Sequence, residues 1–184
     1  MVKIDSIGKE LKNIPEDYIV LVETSAENAF EVALAIVKVL IKKNDRGIIV
    51  SANRPYINLL NIYKRNQIDV DKVCIVDLIS KNQNAHVEAE NVMFIESASS
   101  LTDISLSVNK YIKKFEGNKF VFIDSLNTML IHNEPYVFAR FIHSVLTRMR
   151  LNGVGGVMVS LTDKTNREVR AEIAQLCDKV IKID

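Results

Sequence analysis

Hydrophobic residues in this chain fall into short unbroken runs, separated by longer stretches in which apolar positions recur every three or four residues. The clearest runs are YIVLV at Tyr18–Val22, GIIVS at Gly47–Ser51, VCIVD at Val73–Asp77, FVFID within Lys119–Ser125, and Gly155–Ser160. Val92–Ile95 and Val180–Ile183 are shorter runs of the same kind. A segment apolar on both faces suits a strand covered by helices on both sides, as in a parallel sheet. The intervening periodicity predicts helices over Glu27–Lys43, from Pro55 to about Asn66, from Leu101 to Phe115, over Pro135–Leu151 and over Asn166–Cys177. Ser100 and Asp103 have capping-box spacing at the start of the third of these. Asn44, Asp45 and Gly47 mark a turn, and the polar stretch Ser80–Glu90 reads as a loop. Val2–Asn13 reads as a short helix or arm that Pro15 ends, so residues 1–15 form an N-terminal appendage. No Pro/Gly linker or internal repeat divides residues 1–184, which predicts one α/β domain with a mostly parallel sheet.

Composition narrows the picture without changing it. A chain of 184 residues with 48% hydrophobic and 26% charged residues is an ordinary globular protein. It is long enough to bury roughly 70% of its unfolded surface. The formal charge of +1 gives no bulk attraction to nucleic acid or anionic membranes. Cys74 and Cys177 lie in apolar segments with no CxxC pair, the pattern of reduced core thiols in a cytoplasmic protein. His86, His132 and His143 lack metal-ligand spacing, so no metal site is expected. No signal peptide opens the sequence and no helix is apolar enough to span a membrane, so a cytoplasmic location is expected.

Candidate chemistry centres on Asp124 and Ser125, which end the FVFID run where ligands sit in parallel sheets. An apolar strand ending in Asp is half of a nucleotide-hydrolysing site, the carboxylate that holds magnesium. It is equally a buried strand whose Asp caps the next turn. The other half would be a glycine-rich turn between the first strand and first helix, with a Lys and a hydroxyl residue. Here that turn is Glu23-Thr24-Ser25-Ala26-Glu27-Asn28-Ala29-Phe30-Glu31, without glycine or lysine. In register, Thr24 and Ala29 replace the two glycines, Phe30 the lysine and Glu31 the hydroxyl residue. Thr24 and Glu27 have capping-box spacing, which predicts a helix start closed by its own side chains. Glu23, Glu27 and Glu31 would repel a triphosphate.

With these residues in view, the chain resembles KaiC-like members of the RecA superfamily of ATPases, a group widespread in archaea. FVFIDSLNTMLI looks like that family's central strand with its Asp-Ser-Leu continuation. ARFIHSVLTRMRLNGVGGVMVS looks like the following helix and strand, and LCDKVIKI like the closing strand. The resemblance implies a three-layer RecA-like P-loop NTPase fold in which Asp124 and Ser125 are Walker-B-like and the phosphate-binding loop is degenerate. The family's second strand usually runs into two acidic residues that activate water; Ala52 and Asn53 stand there. Without the phosphate cradle and the base, phosphoryl transfer loses its electrostatic stabilisation.

The expectation is therefore a catalytically inactive domain with no catalytic residue and no cofactor. It would serve as a regulatory or scaffolding protein that binds itself or an active KaiC/RecA-like relative. Two rivals are an unconventional ATPase using ATP and magnesium at Asp124, and a nucleic-acid-binding relative, although the total charge of +1 argues against nucleic acid as a partner. Arg54, Tyr56, Met129, Leu130 and Ile131 at the strand ends have an interface composition, with folding back into the core as the alternative. Arg140, Arg148, Arg150, Lys110, Lys113 and Lys114 read as solvated helix faces before a nucleic-acid surface. Lys164, Thr165, Asn166 and Arg167 read as a solvated turn, and Asp77, Glu96 and Asp124 as separate caps before a metal-binding cluster.

Overall fold

The computed structural model describes residues 7–44, 46–83, 89–162 and 167–183. The strands are β1 (Ile19–Thr24), β2 (Arg46–Ser51), β3 (Val73–Asp77), β4 (Val92–Phe94), β5 (Lys119–Asp124), β6 (Gly155–Leu161) and β7 (Lys179–Lys182). The helices are α1 (Ile7–Lys12), α2 (Ala29–Lys43), α3 (Tyr56–Arg65), α4 (Leu101–Lys114), α5 (Leu126–Ile131), α6 (Pro135–Leu151) and α7 (Arg167–Gln175). The strands form one sheet in the order β4-β3-β2-β5-β6-β1-β7, with every pairing parallel. This is a three-layer RecA-like α/β fold.

The unbroken apolar runs have their reason in the two layers. Phe120 and Phe122 of β5 enter one core with Val20, Val22, Val32, Ile36 and Tyr63, beneath α1, α2 and α3. Val121 and Ile123 enter the other, with Ile104, Val108, Met129, Phe138 and Ile142, beneath α4, α5, α6 and α7. Successive strand side chains point to opposite faces, so a strand covered twice leaves no position for a polar residue.

Predicted and observed elements agree closely for the strands and for α6. The helix at residues 7–12 lies inside the expected appendage and packs on α2, with Ile7 and Leu11 buried. Two expectations about helix starts are corrected. Ser100 does precede α4, but its side chain makes no capping bond. The Thr24–Glu27 box does not form: α2 begins at Ala29, and Thr24 is the last residue of β1, paired with Leu161. Sheet pairing claims the Thr24 backbone, whose carbonyl accepts from Thr162 N at 2.9 Å. The short α5 was not anticipated, although Leu126, Met129 and Leu130 stand at helical spacing and all three are buried. Asp45, His86, Lys164, Thr165 and Asn166 lie outside the described residues. Among the described residues no helix is long and apolar enough to cross a membrane.

Crossovers in the two layers set where a site can form. β1 leads into α2 and β2 into α3 on one face, whereas β5 leads into α5 and β6 into α7 on the other. β2 lies beside β5 and β1 beside β6, so the chain diverges at two neighbouring points along the carboxyl edge. Such divergence opens a crevice.

The GVGG segment lets β6 enter between β1 and β5. A Cβ on Gly156 would stand 2.4 Å from Val121 O, and one on Gly155 would stand 2.0 Å from Glu16 O. Both obstacles are backbone and cannot rotate away. Gly156→Ala is expected to destabilise the domain by about 3 kcal/mol, a fall of roughly 6–12 °C in melting temperature. Thermal denaturation followed by circular dichroism reads this directly, and an unchanged melting temperature would mean that β6 can shift from β5 at little cost.

Candidate functional site

The crevice between β2 and β5 gathers the residues that follow both strands. Asp124, half-buried at the end of β5, accepts a hydrogen bond from Asn53 Nδ2 at 3.0 Å. Asn53 Oδ1 in turn accepts from the Thr128 hydroxyl on α5. Thr128 Oγ1 lies 3.3 Å from Ser125 Oγ, so a chain of side chains runs from the β2 turn through Asp124's neighbour into α5. The backbone closes the same gap, since Ala52 N donates to Asp124 O at 2.9 Å. The Asp124–Ser125 peptide bond is cis. Burial pushes the Asp124 carboxyl above the usual carboxylate range, and the Asn53 hydrogen bond and Arg54 charge offset this in part. Buried Tyr63 on α3 feels the charges of both Asp124 and Arg54, although burial dominates in raising its own pKa.

The neighbouring turn between β1 and α2 carries the positions matched to a phosphate loop. Phe30, at the lysine position, is 40% exposed and does not enter the core. Its ring lies under the Arg54 guanidinium, 4.3 Å from Cζ to ring centroid. This cation–π contact ties the first turn of α2 to the loop after β2. Asn28 precedes the helix without a side-chain cap, while its N–H donates to Ser25 Oγ at 3.3 Å. Thr24 Oγ1 is buried without a hydrogen-bond partner among the described residues. Ala29 is half-buried, and Glu27 and Glu31 are exposed. Glu23 is paired with Lys182 at 3.5 Å.

The predicted interface residues do not form one surface. Tyr56 is buried: its N–H donates to Asp77 Oδ2 at 2.7 Å and its hydroxyl to Asn91 Oδ1 at 2.7 Å. Met129 and Leu130 are buried under α5, while Ile131 is 78% exposed and Arg54 is half-buried. The interface composition of these five residues was a core composition for three of them: α5 folds Met129 and Leu130 onto the sheet, and Asp77 and Asn91 hold Tyr56 at the start of α3.

Asp77, Glu96 and Asp124 are likewise apart in role. Asp77 is fully buried and accepts from Tyr56 N, from Ile79 N at 2.8 Å, from Ser80 N at 3.0 Å and from the Ser80 hydroxyl. One carboxylate thus holds the start of α3 and the turn after β3. Glu96 is exposed, and among the described residues no group of three His, Cys, Asp or Glu side chains could hold a metal ion. Both cysteines are free; burial pushes the Cys177 thiol up to about 12, so it is inert as a nucleophile at neutral pH.

Sequence reasoning placed Asn53 at this edge but missed its partner Thr128 and the neighbouring Asn127. Asn127 Oδ1 accepts from Leu161 N at 2.7 Å and from Ser160 Oγ at 3.1 Å, joining α5 to the end of β6. The signal available was the polar pair Asn127 and Thr128 set between the apolar Leu126 and Met129 just after β5, where a short helix turns polar side chains towards the neighbouring strand ends.

The comparisons with known proteins bear on fold and family. Residues 20–183 match the model of a family described as "Family of unknown function (DUF7504)". None of the curated proteins matches the chain. The crystal structure of an uncharacterized protein from Pyrococcus horikoshii, solved in complex with an unknown peptide, is similar with a TM-score of 0.70. That alignment covers 99% of this chain and 84% of the other at 15% identity, a likeness of fold.

The two carboxylates should respond oppositely to removal. Asp77→Ala leaves three N–H groups without an acceptor, two of them buried, and is expected to cost about 3 kcal/mol. Asp124→Asn is expected to change stability by no more than about 1 kcal/mol at pH 7. The sign follows from burial. A carboxyl whose pKa is raised on folding binds its proton more tightly in the folded state, so stability falls as pH rises from the unfolded value through the folded one. Asp124→Asn therefore matches or slightly exceeds the parent at pH 7, and any gain disappears below the unfolded pKa of about 4. Urea unfolding of the three proteins at neutral and acid pH measures both effects; a large loss at pH 7 from Asp124→Asn would assign that carboxylate a structural weight like that of Asp77.

Proposed function

This chain belongs to the DUF7504 family, and from that premise we propose that it is a RecA-like domain without catalytic activity that works by binding other proteins. The observation that carries this reading is the Phe30–Arg54 stack. Phe30 stands where a phosphate-binding lysine would, and its ring is paired with a guanidinium 4.3 Å away. The pair occupies both the position and the positive charge that a triphosphate would need. Asn53 supports the same reading, because it stands in place of an acidic base and hydrogen-bonds the Walker-B-like Asp124 at 3.0 Å. An amide there cannot take a proton from water, and its hydrogen bond engages one oxygen of the carboxylate that would hold magnesium.

A folded domain with this edge closed is suited to a regulatory or scaffolding role in a cytoplasmic assembly of the KaiC-like kind, archaeal by resemblance. Its partner would be a second copy or an active RecA-like relative. The ATPase reading finds less support, since it would rest on Asp124 alone. The nucleic-acid reading is weakened by the basic residues it would use: Arg148 donates to Ser105 Oγ at 2.8 Å, and Arg150 is paired with Asp178 at 2.9 Å.

Isothermal titration with Mg-ATP, beside a solution mass with and without nucleotide, tests the reading. The expected outcome is no saturable heat and a mass that Mg-ATP does not change. A saturable isotherm that Asp124→Asn abolishes, or phosphate release lost in that variant, would overturn it.

A further inference from the structure

We infer that the groove between α4 and α6 docks an acidic, amphipathic segment of a partner protein, an inference that rests on the protein-binding reading above and gives it a surface and a partner chemistry. The groove has a volume of about 380 Å³ and lies on the outer side of the layer that covers β5 and β6. Its lining is mixed: Leu101, Leu106, Val137 and Phe141 are apolar, beside Thr102, Ser105, Ser144 and two arginines. Phe141 is buried at the base, while Leu106 on α4 and Val137 on α6 are 56% and 52% exposed on either side. Two large aliphatic side chains facing each other across an open cleft gain by being covered, at roughly 25 cal/mol per Å² of apolar surface. Beside the N-terminal end of α6, Ile131 and Tyr136 are 78% and 79% exposed. Leu106, Ile131, Tyr136 and Val137 thus place four exposed large apolar side chains on α4, α5 and the first turn of α6.

Charge selects the partner. The groove is lined by Arg140 and Arg148 and by no acidic residue. The helix α6 contains no Asp or Glu, and α4 contains one acid, Asp103, against Lys110, Lys113 and Lys114. The whole chain carries a formal charge of +1, so this excess is local and offset elsewhere. Arg148 is held against Ser105, whereas Arg140 is exposed and makes no ion pair or hydrogen bond among the described residues. An exposed arginine beside an apolar cleft is a strong anchor for a carboxylate, because its donors are not already engaged. The groove on the other side of α6, about 400 Å³, shares Arg140 but includes Glu172, so it lacks this single-sign lining.

Length and shape favour a helix or short extended segment. Val137 to Arg148 spans twelve residues of α6, eleven rises or about 16 Å along the axis, which matches three turns of a helix laid in the groove. Nucleic acid fits the lining less well. The aromatic ring in the groove, Phe141, is buried against Phe138 at 6.0 Å and offers no face for base stacking.

Selection from a random peptide display library against the purified protein tests this, followed by fluorescence anisotropy with the enriched peptides. The expected peptides carry net negative charge with apolar residues three or four apart. Their binding should weaken about tenfold or more in Arg140→Glu and in Leu106→Asp, and should weaken with added salt. Ile57→Asp on α3, 48% exposed on the opposite layer, should leave it unchanged. Circular dichroism melts check that each variant folds. The inference falls if no peptide is enriched, if the enriched peptides lack negative charge, or if a single-stranded oligonucleotide binds this face through Arg140 while no peptide does. It also falls if peptide binding ignores the groove variants; that last result leaves the protein-binding reading intact, and the Mg-ATP titration decides the nucleotide question independently.

Discussion

Parallel pairing of all seven strands is the constraint on which the rest of this structure depends. Two parallel neighbours cannot be joined by a tight turn, so every connection must climb over one face of the sheet. The helices that do so bury both faces, and each strand becomes apolar at consecutive positions. The same rule sends all strand ends with their following loops to one edge, where the loops after β2 and β5, and after β1 and β6, leave for opposite faces. Asp124, Asn53 and Phe30 meet at that edge because of topology, although they are far apart in sequence.

Two carboxylates at that edge illustrate how burial decides role. Asp77 has every oxygen engaged by donors from the chain around it and acts as a fastener between β3 and α3. Asp124 has one hydrogen bond from a side chain and a pKa raised by burial. A strand-ending Asp is thus either a tie between loops or a half-satisfied group facing the crevice, according to how many N–H groups the following turn directs at it. Sequence placed both at strand ends and could not tell them apart, because the donors to Asp77 come from Tyr56, Ile79 and Ser80, which only folding brings to it.

Much of the fold was legible in the pattern. FVFID and GIIVS could only be doubly covered strands, and the apolar spacing of Pro135–Leu151 marked α6 to the residue. The absence of glycine and lysine from the turn after β1 was equally plain. What was not legible was competition between alternatives of similar local strength. Thr24 had capping-box spacing, yet sheet pairing with Leu161 took it first. Met129 and Leu130 had the composition of an interface, yet one turn of helix sufficed to bury them. Tyr56 was misplaced for the same reason, since a Tyr next to Arg and Pro reads as exposed until Asp77 and Asn91 are seen to hold it. The Arg54–Phe30 contact joins residues on two different strand ends, and no spacing within either segment announces it.

That contact has a thermodynamic consequence. A domain that is braced across its crevice by a bound molecule is stabilised by RT ln(1 + [L]/Kd), so its folded population follows the supply of that molecule. Here the brace is a side chain, present at an effective concentration set by the chain itself. On the proposed reading, the stability of this domain is constant while the nucleotide pool of the cell rises and falls. A component of that kind can act as the fixed reference against which a nucleotide-dependent partner moves.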